Sequence, residues 1–314
     1  MPFSALGRLF GPSSSATNIF RAKAERARTR MQRTPPAGGR SGDAAFCADI
    51  HNNRLLALGR DRKQERFRRI IEEGTPIPVA VADGDSWLQL PIISRDTVSQ
   101  LLDMRMPVFT MATGGNYASC VARDDNLDEI IDTINALRAQ YFIFSCGGND
   151  LLFGYGLEQF VYNRGRSRTG SGLNNWLNKP ALRAAVDDIL ETNHRKIIST
   201  VVARTNVQLI THGYNYGNAI NVSNPPHLGA PYIGTPISTK GLYNPAVTAQ
   251  IMRYAIDHLN NKLKAMMAEQ GSRAHFIDLR RQRFHYVDEI HPNNSGYRVL
   301  SEKIARIMTR QLVS

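Results

Sequence analysis

Cysteine is scarce in this chain, with only Cys47, Cys120 and Cys146 among 314 residues and no two of them in a C-x-x-C pair. That argues against a disulfide framework and against a thiolate zinc site. It suits a reducing, cytoplasmic compartment, with one bridge in an exported protein as the alternative. Long apolar runs are missing too: none approaches the roughly 18 residues that a membrane-spanning helix requires. No internal repeat is visible. Beyond the front of the chain there is neither a basic-aromatic ribbon nor a known reader motif, so nucleic acid is not an expected partner of the main domain.

Acid is the other shortage, and it is local. Residues 1–75 hold 15 Lys and Arg against 7 Asp and Glu, a net of +8 out of the chain's +12, and Glu25 is the only acid among residues 1–42. That stretch, rich in Ser, Ala, Gly, Pro and Arg, reads as a disordered or loosely helical leader. It could be an organelle-targeting peptide, an arm for an anionic surface, or solvated chain with no partner. An export signal fits poorly because no sustained apolar core follows the first basic residue, which leaves unconventional export as the remaining secretory route. A charged helix is expected from Leu55 to Glu73, with Leu55, Leu56, Phe67, Ile70 and Ile71 as possible packing contacts, completing a basic extension over 1–75 ahead of a main domain over 76–314.

What is present is a strand–helix alternation. Ile77-Pro-Val-Ala-Val-Ala82 is a short apolar run of buried-strand character, stopped by Asp83-Gly-Asp-Ser86. Met106–Ala112, Tyr141–Ser145, Val207–Thr211 and His275–Leu279 predict four further strands. Helical spacing predicts helices over 97–104, 126–140, 180–203 and 244–270, with a last one ending near Gln311. Five strands alternating with helices give a parallel sheet covered on both faces, in the flavodoxin-like order 2-1-3-4-5. Segments 151–178 and 213–243 read as insertions that build a pocket. The first carries Arg164, Arg166 and Arg168, a solvated loop or an attractor of anionic substrates. The second carries His227 and several tyrosines, Tyr214 among them.

Ligands of such sheets bind beyond the carboxyl ends of the strands, and four strand ends there carry chemistry. Ser86 is a poor nucleophile unless an imidazole takes its proton, and His291 is the candidate base. Asp288, three residues earlier, can hold the other ring nitrogen and complete a catalytic triad, with Glu289 pointing elsewhere. The backbone N–H groups of Ser86 and Gly115 and the amide of Asn149 are candidate oxyanion-hole donors, with Gly114 as the alternative glycine. His212 and His285 are the runner-up bases and Asp278 the runner-up orienter. Cys146 reads as a packing residue.

Gly84-Asp85-Ser86, the glycine at 114/115, Gly147-x-Asn149-Asp150 and Asp288-x-x-His291-Pro292 resemble, in order, the four signature blocks of the SGNH/GDSL hydrolase superfamily. The likeness spans about 77–312. It implies a three-layer α/β/α fold, no metal or cofactor, and hydrolysis of carboxylic esters by an esterase or lipase through an acyl-enzyme. It assigns Ser86 as nucleophile, His291 as base, Asp288 as its orienter, and Gly115 and Asn149 as oxyanion donors. Trp87 stands where the eponymous pattern has leucine. Trp87, Gly114, Asp150 and Tyr214 are the candidate substrate contacts. The expected substrate is a small-molecule, lipid or sugar ester, which leaves carbohydrate O-deacetylase and lysophospholipase as alternatives. A non-catalytic protein that binds anionic surfaces through residues 1–75 is the rival from another class.

Overall fold

The computed structural model describes residue 47 and residues 53–90, 95–163, 172–217 and 232–310. The leader 1–42, Arg164, Arg166, Arg168 and His227 lie outside the described residues. The principal elements are α1 (Arg54–Glu72), β1 (Ala80–Gly84), α2 (Thr97–Asp103), β2 (Val108–Thr110), α3 (Asp124–Leu137), β3 (Tyr141–Ser145), α4 (Lys179–Asp188), α5 (Arg195–Arg204), β4 (Gln208–His212), α6 (Pro245–Ala268), β5 (Ala274–Ile277) and α7 (Asn294–Thr309).

The strands form one sheet in the order β2-β1-β3-β4-β5, and every neighbouring pair is parallel. All residues of β1 and β3 are buried, as an unbroken apolar run under two helical layers requires. Ala80 pairs with Val108 on one side and Tyr141 on the other, and Gly84 faces Ser145. The crossover from β1 to β2 runs one way along the sheet and the later ones run the other way. Right-handed connections therefore place α2 on one face and α3, α4, α5 and α6 on the other. α7 packs beside α2, while α3 contacts α5 and α4 contacts α6, completing a three-layer α/β/α sandwich. None of the helices among the described residues is long and apolar enough to cross a membrane.

The structure adds to or departs from the sequence-based expectation in four places. First, the expected charged helix is present as α1, and besides the expected contacts Phe67 and Ile70 it buries a lysine. Asn53 caps it, accepting from the N–H groups of Leu55 and Leu56, and it buries Lys63, Phe67 and Ile70. Those three positions share one helical face, which docks on β2 and α2. Phe67 meets Phe109 edge-to-face at 5.5 Å, and Lys63 forms a buried ion pair with Asp96. Second, Cys47 and Cys120 form a disulfide across 73 residues, a pairing that spacing alone could not reveal. Third, the helix expected over 180–203 is interrupted: Ile189–His194 widens into a π-helical turn between α4 and α5. The turn puts His194 inside, with Nε2 3.1 Å from the Cys146 carbonyl oxygen. Burial lowers the His194 pKa to about 4, so it packs there as a neutral ring. Fourth, the segments expected as bare insertions carry short helices at Leu157–Phe160, Leu173–Trp176 and Gly234–Ser238, and Val161 bridges to Leu177.

Candidate active site

The site is built where β1 ends. Gly84 has φ +143°, and a Cβ there would lie 2.0 Å from the Ser145 carbonyl oxygen, so only glycine lets β1 and β3 run this close. The Asp85 N–H then donates to that same oxygen at 2.8 Å. The chain turns over Asp85–Leu88 and presents Ser86 at the strand end.

The loop before α7 meets it across 205 residues of sequence. The Ser86 Oγ hydroxyl donates to His291 Nε2 at 2.8 Å, and His291 Nδ1 donates to Asp288 Oδ2 at 2.6 Å. The other oxygen, Asp288 Oδ1, accepts from the N–H groups of Ile290 at 2.8 Å and His291 at 2.7 Å. Burial alone would raise Asp288. The His291 hydrogen bond, the nearby imidazole charge and the two backbone donors outweigh it and hold this carboxyl below its ordinary value. An ionised Asp288 fixes the tautomer in which Nε2 is free to accept the serine proton. Tyr232 stands edge-on to the imidazole at 5.9 Å. Glu289 turns away and accepts from the N–H groups of Ile233 and Gly234, so it organises the neighbouring segment.

The two middle loops are tied to this pair. Thr113–Asn116 is a turn closed by the Asn116 N–H on the Thr113 carbonyl at 3.1 Å, and Gly115 at its third position has φ +81°. The Thr113 N–H donates to the Gly84 carbonyl at 2.9 Å, anchoring the turn one step from Asp85-Ser86. Asn149 donates from Nδ2 to the Asn116 carbonyl at 2.9 Å and keeps its second amide hydrogen. Among the described residues, the N–H groups of Ser86, Gly114 and Gly115 have no hydrogen-bond partner, so both candidate glycines keep a free donor. Free backbone donors and a half-used amide therefore collect at strand ends that bonds tie to the serine loop, as stabilisation of a developing oxyanion requires.

Beneath the serine lies a network that the sequence did not disclose. Asp85 is buried and accepts from the Trp87 N–H at 3.0 Å, the Ser145 hydroxyl at 2.8 Å and the Tyr214 hydroxyl at 2.5 Å. Burial raises its pKa despite those donors. The Gly148 N–H donates to the Tyr214 oxygen at 3.3 Å, and the Tyr297 hydroxyl reaches the Ser86 carbonyl at 3.3 Å. An acid following glycine at a strand end reads equally well as a helix cap, so the sequence placed Asp85 in the Gly84-Asp85-Ser86 block without disclosing what it holds.

A mainly apolar pocket opens beside Ser86 and Asn149. Leu151 and Leu152 form one wall and Met252, Ile256 and Leu259 of α6 another, with Trp87 lining it as well. The three α6 residues are spaced i, i+4, i+7, and that spacing puts them on one face. Of the candidate substrate contacts, Trp87 and the Tyr214 ring line this pocket, although the Tyr214 hydroxyl is spent on Asp85. Asp150 does not line it: its carboxylate caps the Ala118 N–H at 2.8 Å. Gly114 is likewise not a lining residue and sits in the turn before Gly115. The runner-up residues stand apart. Asp278 pairs with Arg280, His285 is exposed, and His212 is buried against Trp87, where burial lowers its pKa to about 4. Cys146 is buried and its thiol is pushed well up, so it is no nucleophile. Among the described residues, no cluster of His, Cys, Asp and Glu is arranged to hold a metal ion.

A sandwich of this topology with a serine–imidazole–carboxylate relay at its carboxyl rim defines a hydrolase class. The sequence profile of the GDSL-like lipase/acylhydrolase family matches residues 84–299, and the chain belongs to that family. A search of curated protein sequences finds no match. Among solved structures it is similar to an extracellular lipase from Streptomyces rimosus, with 14% identity over 72% of this chain and 99% of that one, TM-score 0.46. It is similar to a phospholipase A1 from Streptomyces albidoflavus NA297, with 14% identity over 72% and 99%, TM-score 0.45. A family 3 carbohydrate esterase from Clostridium thermocellum gives 14% identity over 74% and 96%, TM-score 0.39.

Proposed function

We propose that the protein hydrolyses carboxylic esters through an acyl-enzyme formed on Ser86. The observation that carries this reading is the unbroken relay from Ser86 Oγ through His291 to Asp288, at 2.8 and 2.6 Å. Ser86 attacks the ester carbonyl while His291 takes its proton; the imidazolium, stabilised by Asp288, then protonates the departing alcohol. The tetrahedral oxyanion is met by the N–H groups of Ser86 and Gly115 and by Asn149 Nδ2. Water activated by His291 releases the acid and restores the serine. The apolar lining beside Ser86 supports an aliphatic acyl group as the group held during the reaction. The Cys47–Cys120 bridge favours an oxidising compartment over the cytoplasmic one that the cysteine pattern suggested.

The test is hydrolysis of p-nitrophenyl acetate, butyrate and octanoate. The wild type cleaves one or more of them, the chain-length profile giving the acyl preference, and Ser86→Ala and His291→Ala each abolish turnover. A folded wild type that cleaves none of them, yet binds anionic vesicles in a salt-dependent way after Ser86→Ala, would instead support a non-catalytic binding protein.

A further inference from the structure

We propose that Arg60 of α1 is a positioning residue for the oxyanion turn; this rests on the acyl-transfer reading above. α1 lies ahead of the family-matched segment 84–299, yet it is built into the catalytic rim. Arg60, Lys63 and Phe67 are spaced i, i+3, i+7, so the face that buries Lys63 and Phe67 also aims Arg60 at the body of the protein. Its Nη1 donates to Thr113 Oγ1 at 2.9 Å. Thr113 is fully buried and opens the Thr113–Asn116 turn, whose closing residue accepts the amide of Asn149. One guanidinium therefore holds the first residue of the turn that carries Gly115, and through it the contact that orients Asn149.

Three further observations separate Arg60 from an ordinary surface arginine. Three other arginines of α1 pair with carboxylates, Arg66 with Asp103 and Arg68 and Arg69 with Glu65. Arg60 makes no ion pair with a carboxylate among the described residues: its hydrogen bond goes to a neutral hydroxyl, and its charge also acts on the buried Asp83. Next along the helix, Gln64 Nε2 donates to the Thr110 carbonyl at 2.8 Å, fixing the edge strand that leads into the turn. Beyond the turn, the Cys47–Cys120 disulfide ties the chain ahead of α1 to the short helix Ala118–Val121. The turn is thus gripped from both sides by the same N-terminal segment.

Oxyanion donors act only when held within a few tenths of an ångström of where charge develops, so a loosened turn lowers transition-state stabilisation. The apolar pocket for the acyl group is untouched, and ground-state binding is retained. The experiment measures kcat and KM on p-nitrophenyl butyrate, with melting temperature, for the wild type, Arg60→Met, Arg60→Lys, Thr113→Val and the Arg60→Met/Thr113→Val double variant. Arg60→Met and Thr113→Val should each lower kcat about ten- to a hundredfold, the range for a hydrogen bond to a charged group, with KM changed little. The double variant should be no slower than the worse single one, and Arg60→Lys should recover part of the rate. If Arg60→Met does not fold, Thr113→Val alone decides, since it removes the acceptor at nearly constant volume. Wild-type kcat in the folded variants, a loss confined to KM, or full additivity in the double variant overturns the proposal and leaves the hydrolase reading intact. A wild type that cleaves no ester overturns both.

Discussion

Asn149 and Gly84 show two ways in which a single residue can govern this site. Asn149 contributes a donor, so Asn149→Ala should lower kcat about a hundred- to a thousandfold with KM changed little, as measured on p-nitrophenyl butyrate. Asp288→Asn tests the relay at its far end. The amide fails to hold the imidazole in its accepting tautomer, and kcat should fall by up to about 10⁴ in a variant that still folds. Gly84 contributes space. Gly84→Ala places a methyl 2.0 Å from a backbone oxygen that cannot move without breaking β3, and should cost more than about 4 kcal/mol of stability by urea unfolding. The relay residues were legible in the sequence because Ser86 stands where β1 ends, Asp288 and His291 share the loop ahead of the last helix, and each has a chemistry that acyl transfer needs. Asp150 and Asp85 were not, because the role of a carboxylate depends on which N–H or hydroxyl it meets. Asp150 meets a helix start and Asp85 meets Ser145 and Tyr214.

At the scale of elements, α1 and α6 carry the consequences. α6 supplies one wall of the apolar pocket beside Ser86. Met252→Phe should narrow that pocket and lower the octanoate-to-acetate ratio of kcat/KM about tenfold or more, while leaving acetate turnover near wild type. Removing residues 1–42 should leave both folding and activity on soluble esters intact. Removing 1–75 should not, because Lys63, Phe67 and Ile70 then leave Asp96, Gln89 and Phe109 without their packing and charge partners. The strands and long helices were legible from periodicity, and β3 falls on the expected residues Tyr141–Ser145. The π-helical turn at Ile189–His194 was not. Its register shift answers to a buried contact with the third strand end, and the local apolar spacing runs on through it. The role of α1 was legible in part: Phe67 and Ile70 stood out as packing contacts, but Lys63 reads as solvated until the acid waiting for it, Asp96, is seen.

For the molecule as a whole, buried carboxylates give stability a pH dependence. Burial pushes Asp83 and Asp150 up to about 6, against 3.8 in the unfolded chain. Between those values the folded state binds more protons than the unfolded one, so this contribution falls as pH rises through the window and is fully lost above about 6. Each shift corresponds to an effect on the order of 3 kcal/mol. Asp288, held low, acts in the opposite sense: its contribution is present above 3.8 and is lost on stronger acidification. The difference in melting temperature between Asp83→Asn/Asp150→Asn and wild type isolates the first effect. It should grow in favour of the variant from pH 4 to 6 and level off above; a difference independent of pH would contradict the assignment. The sheet order and its covering helices follow from the alternation of strands and helices together with right-handed crossovers. The Cys47–Cys120 bridge does not follow, since a link across 73 residues depends on where α1 docks.

The central claim is that Ser86, activated by His291, is the group that becomes acylated. Labelling with a fluorophosphonate, read by intact and peptide mass spectrometry, tests it most directly. One adduct per chain should form, mapped to Ser86, absent in Ser86→Ala and slowed at least a hundredfold in His291→Ala. Stoichiometric labelling at another residue, or a folded protein that stays unlabelled while cleaving esters, would contradict it.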